Sequence, residues 1–200
     1  MTTLPDWKAR PEGPDYETVR GRLVDAAEQI VRDGGVNALR LDSVAEAVGL
    51  HRSSVYRYFE SKEDLLTAVA TQASMRVRRK VVQKLGRSAP PERLLAEGLA
   101  MALAELATDP VHRALTDPSV SEAMAKVGGK ALTGGLAPLV DPVFAEAAEQ
   151  GLLREGVSPE DASRWLQVVA RGLLRSPDIL PDASELTALL ELMLIPALFE

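Results

Sequence analysis

The amino-acid sequence predicts an all-α protein with a small N-terminal helical domain and a larger C-terminal one. Apolar side chains recur at helical spacing along most of the 200 residues, and clusters of Gly and Pro interrupt them at intervals. No stretch shows the alternation of apolar and polar residues between hairpin turns that is typical of β-strands. We expect a loose arm over residues 1–14, one domain over 15–75 and another over 76–200.

The boundaries of the first two helices are predicted from residues that typically cap or end a helix. Helix one is expected to begin near Asp15 and to end at Gly34-Gly35, and it carries one apolar stripe. A shorter second helix is expected to begin at Asp42 or Ser43, either of which is a suitable N-cap, and to end at Gly49. The connection between the two helices is therefore predicted to be short.

A short third helix and a long fourth helix complete the N-terminal pattern. Residues 53–59 turn Val55 and Phe59 to one side, and Ser61 begins the fourth helix through a capping box with Asp64. Two short helices joined by a tight turn, braced by a longer helix, form the helix-turn-helix plan. In that plan the second short helix enters the major groove of DNA. We expect Val55 and Phe59 to anchor it from behind.

Composition and charge limit the function. The chain has no cysteine and only two histidines, so we expect no metal ion, no cofactor and no cysteine- or histidine-rich catalytic centre. It has no nucleophile elbow, no complete phosphate-binding loop, no membrane-length apolar run and no signal-peptide core. Residues 1–80 carry 13 Lys and Arg against 12 Asp and Glu, whereas residues 81–200 carry 10 against 17. We predict a non-enzymatic cytoplasmic protein whose first third is the candidate for nucleic-acid contact.

Residues 16–75 resemble the DNA-binding domain of the tetracycline-repressor (TetR) family of bacterial transcription regulators. The resemblance lies in the spacing Gly-x6-Tyr-x-x-Phe-x-x-Lys, which is filled by Gly49, Tyr56, Phe59 and Lys62. Further matching residues are Ala26, Ala27, Gly34, Gly35, Ser43, Val44, Ala45, Ala47, Val48, Ser54, Val55, Tyr58, Ser61, Leu65 and Leu66. The resemblance implies a homodimer that binds an operator and responds to a small-molecule effector in its C-terminal domain.

The resemblance also implies two sets of DNA contacts. Bases would be contacted by Arg52, Ser53, Ser54 and Arg57. Phosphates would be held by Tyr56, Tyr58 and Lys62 and, at the start of helix two, by Arg40 and Ser43. Arginine can bind guanine O6 and N7 with two hydrogen bonds, and a helix N-terminus favours phosphate. Asp42 departs from the family pattern and would repel a phosphate unless it caps the helix.

Several of these residues also have an ordinary interpretation. Tyr56 and Tyr58, taken alone, are typical of aromatic side chains at a protein–water boundary. Arg52 and Arg57, taken alone, are typical of solvated surface charge. The densest basic run is Arg76, Arg78, Arg79 and Lys80, and we interpret it as a solvated helix face. The clustering of three aromatics and two arginines within residues 52–59 favours DNA contact over these alternatives.

The C-terminal domain is predicted to supply the dimer interface. Helices are expected near residues 91–107, 111–116, 119–127, 137–152, 159–175 and 183–199. The last of these is apolar on more than one face and needs a second covering surface. A two-fold four-helix bundle of residues 159–175 and 183–199 with their copies would cover it, although burial within its own domain is the alternative. The interface is assigned to Leu166, Val169, Leu173, Leu186, Leu189, Leu190 and Met193.

The resemblance further implies an effector pocket within residues 90–152. Beyond residue 60 the only aromatic residues are Phe144, Trp165 and Phe199, which favours an aliphatic or compact hydrophobic ligand over a stacked planar one. Candidate lining residues are Met101, His112, Met124, Phe144 and Trp165. Each of them, taken alone, fits an ordinary core residue better.

These observations predict a homodimeric transcriptional regulator that acts as a repressor. Its partners would be a palindromic double-stranded DNA operator, a second copy of the chain and a small hydrophobic ligand that releases the DNA. The alternative is an α-helical ligand-binding or protein-interaction module whose helix-turn-helix no longer contacts DNA. A DNA-binding assay at stated salt concentration separates the two hypotheses.

Overall fold

The computed structural model describes residues 14–86, 88–117, 137–176 and 182–200. All regular structure in these ranges is helical apart from one isolated antiparallel bridge between Leu153 and Phe199. The prediction of an all-α protein is therefore confirmed. Residues 1–13 of the arm predicted over 1–14 and the helix predicted at 119–127, with Met124, lie outside the described residues, and Pro14, the last residue of the predicted arm, is instead the first residue of a helix.

Four helices form the N-terminal part: α1 (Pro14–Ala38), α2 (Leu41–Val48), α3 (Arg52–Val55) and α4 (Lys62–Leu85). The predicted stop of the first helix is confirmed, because α1 breaks at Gly35 with φ 73°. The predicted end of α2 is also confirmed: Gly49 follows it with φ 75°, a left-handed conformation that side chains disfavour.

The predicted cap of α4 is confirmed and the predicted cap of α2 is wrong. Ser61 Oγ accepts a hydrogen bond from the Asp64 N–H at 3.1 Å, which satisfies one of the free donors at the start of α4. Arg40, not Asp42 or Ser43, occupies the N-cap position of α2, without a side-chain cap. Both predicted caps lie inside the helix, so the side chain of Asp42 is left to another partner.

The C-terminal part is built from six further helices in the described ranges. Helix α5 runs through Pro91–Arg93, a π-helical turn at Leu94–Gly98, and Leu99–Thr108. Next come α6 (Pro110–Thr116) and α7 (residues 137–149), then α8 (Pro159–Arg175), α9 (Ala183–Met193) and α10 (Ile195–Leu198). The helix predicted over 183–199 is therefore interrupted at Leu194. None of the helices in the described ranges is long and apolar enough to cross a bilayer.

The buried side chains form two clusters. One lies among α1 to α4 and includes Leu23, Val55 and Phe59. The other lies among α4, α5 and α7 to α10 and includes Leu103 and Phe144. Helix α4 contributes to both clusters, because Leu65 to Ala73 face the first and Val77 and Val81 face the second. One helix thus connects the two parts of the molecule.

Helix α6 belongs by packing to the N-terminal part. It lies after residue 76, within the predicted C-terminal domain, yet its Val111 and Leu115 are buried in the N-terminal cluster. It packs against α1 and α4 as well as α5. His112 on this helix is buried, and its Nε2 lies 3.3 Å from Ser74 Oγ on α4. The two parts are therefore interlocked and not joined by a free linker.

An ionic cluster reinforces this interlock. The Glu28 carboxylate on α1 accepts hydrogen bonds from Arg76 of α4 at 2.6 and 2.7 Å and from Arg32 Nε at 2.7 Å. Arg32 also donates to Asp109 at 3.2 Å. Asp109 is the N-cap of α6 and accepts the backbone N–H groups of Val111 and His112. Two arginines and two carboxylates thus tie three helices together with balanced charge.

The same contacts shift the acidity of both carboxylates. Burial by itself would raise the pKa of Asp109, but the hydrogen bonds from His112 and the charge of Arg32 outweigh burial and lower the pKa from 3.8 to about 2. Burial also opposes ionisation of Glu28, yet hydrogen bonds from Arg76 and Arg32 lower its pKa. Both groups are therefore anions at neutral pH that the folded state stabilises.

We predict that Asp109→Asn, which keeps the capping oxygen and removes the charge, lowers the free energy of unfolding at pH 7 by about 1–3 kcal/mol. Because the pKa of Asp109 is lowered on folding, its stabilisation is complete above about pH 4 and is lost as the pH falls towards 2. Urea unfolding at pH 7, 5, 4 and 3 measures the free energy of unfolding of the wild type and of Asp109→Asn. We expect the difference between the two proteins to become smaller only at the lowest pH values. Asp33→Asn, at an exposed position of α1, is the matched control; a gap that stays constant down to pH 3 would contradict the prediction.

Candidate nucleic-acid interface

The predicted DNA-contacting helix α3 is held at both ends by local hydrogen bonds. The Ser54 N–H donates to His51 O at 2.8 Å, and the Tyr58 and Phe59 N–H groups donate to Val55 O at 2.9 and 3.0 Å. The regular helix covers only Arg52–Val55, with a turn at residues 56–58, and is shorter than the predicted 53–59. The His51 ring caps it, since its Nδ1 accepts the Ser53 N–H at 3.4 Å.

The two faces of α3 and its turn differ sharply in exposure. Val55 and Phe59 are 0% and 1% exposed, which confirms that they anchor the segment from behind. The predicted base-contacting residues Arg52, Ser53 and Arg57 are exposed, and Ser54 is half-buried. The segment therefore presents hydrogen-bond donors and acceptors to solvent on one side and is anchored in the core on the other.

Arg52 is oriented by a neighbouring helix. Its Nε lies 3.2 Å from Asp42 Oδ1 on α2, and its Nη2 lies 3.4 Å from the Tyr56 hydroxyl. Asp42, the residue that departs from the family pattern, is thus the partner of the predicted base-contacting arginine and not a cap. All three side chains are exposed, so the ion pair is open to exchange with a stronger ligand.

A second group of predicted contacts lies where α2 and α4 begin. Arg40 is exposed, Ser43 is half-buried, and Lys62 is the first residue of α4. Partial burial and the charge of Arg40 lower the pKa of the Lys62 ammonium, with Glu63 opposing them. Two cations that repel each other beside a helix N-terminus form a site that an anion would stabilise.

The two tyrosines lie in different surroundings. Tyr56 is 47% exposed, as expected of a phosphate contact. Tyr58 is half-buried, and its ring stacks on Tyr16 with centroids 4.9 Å apart. The guanidinium of Arg20 lies 4.9 Å from the centre of the Phe59 ring. No pattern in the sequence distinguishes Tyr16 or Arg20, because nothing in their spacing shows that α1 packs over this turn.

The four predicted effector residues that lie within the described ranges are not gathered around one cavity. His112 is buried beside Ser74 of α4, Phe144 is buried in the C-terminal cluster, Met101 is half-buried against that cluster, and Trp165 is 51% exposed. A cavity of about 540 Å³ lies instead between α4, α5 and α7, and none of these four side chains lines it. Its lining includes Arg78 and Arg79, which the sequence marked only as part of a basic run.

The predicted dimer interface is revised by the burial of its residues. Leu166, Leu186 and Leu190 are buried in the protomer's own core, and Val169 and Leu173 are half-buried. Leu189 and Met193 are 43% and 69% exposed. The exposed apolar side chains of α8 and α9 are Trp165, Val168, Leu189, Leu192 and Met193. Helical periodicity identifies apolar faces but not which of two neighbours covers each one.

Comparison with known proteins gives this arrangement a context. Residues 23–69 match the family model described as bacterial regulatory proteins, tetR family. An uncharacterized HTH-type transcriptional regulator of Mycobacterium tuberculosis is 34% identical over 80 residues, and the match covers 40% of each chain. That match spans less than half of the relative's length. The HTH-type transcriptional repressor KstR of Rhodococcus jostii is 27% identical over 184 residues, which cover 88% of this chain and 82% of KstR.

A solved structure shares the fold over most of the chain. The crystal structure of RolR in complex with resorcinol has a TM-score of 0.68 at 19% identity, and covers 90% of this chain and 88% of RolR. At this identity the similarity concerns the fold. The matched family model covers α3 and Phe59, so the helix-turn-helix lies within the matched residues.

We predict that Phe59→Ala destabilises the protein by about 3–5 kcal/mol, because it leaves a cavity behind the turn that follows α3. Tyr56→Ala, at the exposed side of the same turn, should change stability by less than about 0.5 kcal/mol. Urea unfolding followed by circular dichroism measures both variants. Equal effects from the two substitutions would show that Phe59 is not the anchor.

Proposed function

We propose that this chain is a transcriptional regulator of the tetR family of bacterial regulatory proteins, which its residues 23–69 match, and that it binds a palindromic operator through residues 40–62. Regulators of this family are non-enzymatic, in agreement with the prediction from composition. The observation that carries the proposal is the division of α3 and its turn into a buried face at Val55 and Phe59 and an exposed face at Arg52 and Arg57. In this proposal residues 15–75 bind DNA in the cytoplasm, and residues 76–200 bind the effector and form the dimer.

The DNA contacts divide into two classes. Arg52, Ser53, Ser54 and Arg57 would contact base edges, where arginine binds guanine O6 and N7. Arg40, Ser43, Tyr56, Tyr58 and Lys62 would hold phosphates and fix the orientation of α3 in the groove. On binding, Arg52 would exchange its exposed carboxylate partner Asp42 for a base, and Asp42 would remain close enough to restrict the side chain to one direction.

A second copy of the chain supplies the other half of the operator contact. The exposed apolar face of α8 and α9 supports pairing with its own copy, because an apolar patch of this kind on a helix pair is typical of an interface. Pairing would set the distance between the two α3 helices, which must be about 34–36 Å to enter successive major grooves. The proposed interface is the set Trp165, Val168, Leu189, Leu192 and Met193.

A small hydrophobic ligand would release the operator by a shift in population. Ligand binding to the C-terminal part would favour a dimer whose α3 helices are wrongly spaced for the operator. The free energy of DNA binding would then weaken by at most the difference between the ligand's binding free energies for the two forms of the dimer. Two comparisons support this proposal: KstR is a repressor, and RolR has been crystallised with resorcinol. The interlock of α6 with α1 and α4 provides a direct physical link between the two parts.

Selection of DNA from a random pool by the full-length chain, at fixed salt, tests the proposal. We expect enrichment of a palindrome with half-sites about one helical turn apart. Absence of any enriched sequence would contradict DNA recognition and favour the alternative, a ligand-binding or interaction module that has lost this activity.

Two variants separate base contact from phosphate contact in the selected operator. We predict that Arg57→Ala lowers affinity for the matched site by about 1–3 kcal/mol for each lost base contact and changes binding to unrelated DNA little. Lys62→Ala should weaken binding to every sequence alike and flatten the dependence of affinity on salt. Lys84→Ala, exposed at the other end of α4, is the control, and fluorescence anisotropy at several salt concentrations is the measurement. A sequence-selective loss in Lys62→Ala would contradict its assignment.

We predict that Leu189→Arg combined with Met193→Asp converts the dimer to monomers, because it places two charges in an apolar interface. Sedimentation velocity measures the change. Ala145→Asp with Ala148→Arg adds the same two charges at exposed positions of α7 and should leave the dimer intact. A stable dimer in the variant with Leu189→Arg and Met193→Asp would show that the interface lies on another face of the protein.

A further inference from the structure

The cavity between α4, α5 and α7 has the size and the lining of a small-molecule site. Its volume is about 540 Å³, within the ~300–1,000 Å³ of typical ligand sites. Most of the wall is aliphatic and comes from Val81 and Val82 on α4, Leu95 and Leu99 on α5, and Val140 and Val143 on α7. No aromatic side chain is among its described lining residues. Such a wall suits a flexible aliphatic group better than a planar ring.

One wall of this cavity is built from irregular helix. The π-helical turn of α5 covers Leu94–Gly98, and three of its residues line the cavity: Leu94, Leu95 and Gly98. A single π turn inside an α-helix is uncommon and occurs frequently at functional sites. A Cβ atom at Gly98 would lie 3.1 Å from Val81 Cγ1, so glycine lets α4 and α5 approach closely here.

The basic run on α4 supplies a charged edge. Arg76 is paired with Glu28 and Lys80 is paired with Glu105. Arg78 and Arg79 line the cavity, and neither has a carboxylate partner among the residues that the structure describes. Arg78 is half-buried and Arg79 is exposed, so the two guanidinium groups lie between the apolar wall and solvent.

The remaining polar lining does not cancel this charge. It consists of Gln83 and Glu146, and Glu146 Oε1 accepts a hydrogen bond from Gln150 at 3.1 Å. Two guanidinium groups against one carboxylate leave the described lining with net positive charge. Guanidinium groups bind carboxylates and phosphates through paired hydrogen bonds.

We propose that this cavity binds an amphipathic anion, with an aliphatic chain among the valines and leucines and a carboxylate or phosphate on Arg78 and Arg79. The assignment rests on the proposed function, because it gives the effector of that function a site and a chemical class. The aliphatic part contributes affinity in proportion to the apolar surface that it buries. The anionic group contributes selectivity over a neutral molecule of the same length.

Calorimetric titration of the full-length protein, without DNA, tests the ligand class. The probes are decanoate, decanoyl-CoA, 1-decanol and CoA alone, each below its aggregation concentration. We expect at least one of the two anionic acyl probes to bind about tenfold or more tightly than decanol, and CoA alone to bind weakly. Tighter binding of decanoate identifies a free carboxylate as the head group, whereas tighter binding of decanoyl-CoA identifies a phosphate-bearing one. Equal affinity for decanol and both anions would overturn the proposal.

Variants locate the site. Arg78→Gln combined with Arg79→Gln should abolish the preference for anions, with about a tenfold loss for the acyl probes, and should leave decanol binding unchanged. Lys80→Gln combined with Lys84→Gln removes the same two charges from α4 away from the cavity and should keep the preference. Val143→Trp and Val82→Trp, two independent ways to fill the cavity, should abolish binding of all acyl probes, with circular dichroism to verify folding.

The outcome is independent of the operator experiment. Operator binding with no binding of any acyl probe would overturn this inference and leave the proposed function standing. Retention of the anion preference in the arginine double variant would also overturn it. Ligand binding without operator binding would support the cavity assignment and contradict DNA recognition.

Discussion

The burial of Val55 and Phe59 is the contact on which the candidate interface depends. A helix of four residues has no stability of its own, since nucleating a helical turn costs more than so few hydrogen bonds return. The exposed arginines of α3 and its turn, Arg52 and Arg57, therefore have a fixed direction only because Val55 and Phe59 are buried in the N-terminal cluster. The buried core beneath the segment therefore determines the position of every proposed base contact.

The ionic cluster gives that core a second connection, to the C-terminal part. Glu28, Arg32, Arg76 and Asp109 come from three helices, and their charges balance only when all three are in place. Separating α6 from α1 would leave a partly buried charge without its partner, which is costly. The cluster therefore favours one arrangement of the two parts, and a ligand that favours another arrangement must supply the difference.

The sequence alone was sufficient to predict the features that depend on contacts between residues a few positions apart. The cap at Ser61, the stop at Gly49 and the inward face of α3 depend on contacts a few positions apart, and each was predictable. The Arg32–Asp109 pair joins residues 77 positions apart, and no local pattern indicates it. Leu186 and its neighbours were assigned to a partner chain because periodicity reveals an apolar face without revealing what covers it. Arg78 was dismissed as solvated for the same reason: a run of charges does not show which members lie beside a cavity.

Helix α4 is a single unbroken rod that starts at the candidate phosphate site and ends beside the cavity. Its 24 residues span about 36 Å at a rise of about 1.5 Å each. The ion pair of Arg76 with Glu28 lies between the two ends. Over this whole length, a tilt of about five degrees about one end of the helix would displace the other end by about 3 Å, comparable to the length of a hydrogen bond. Under the proposed function, a slight rearrangement of apolar packing beside the cavity would therefore displace the candidate phosphate site at the other end of α4 enough to break a contact with DNA.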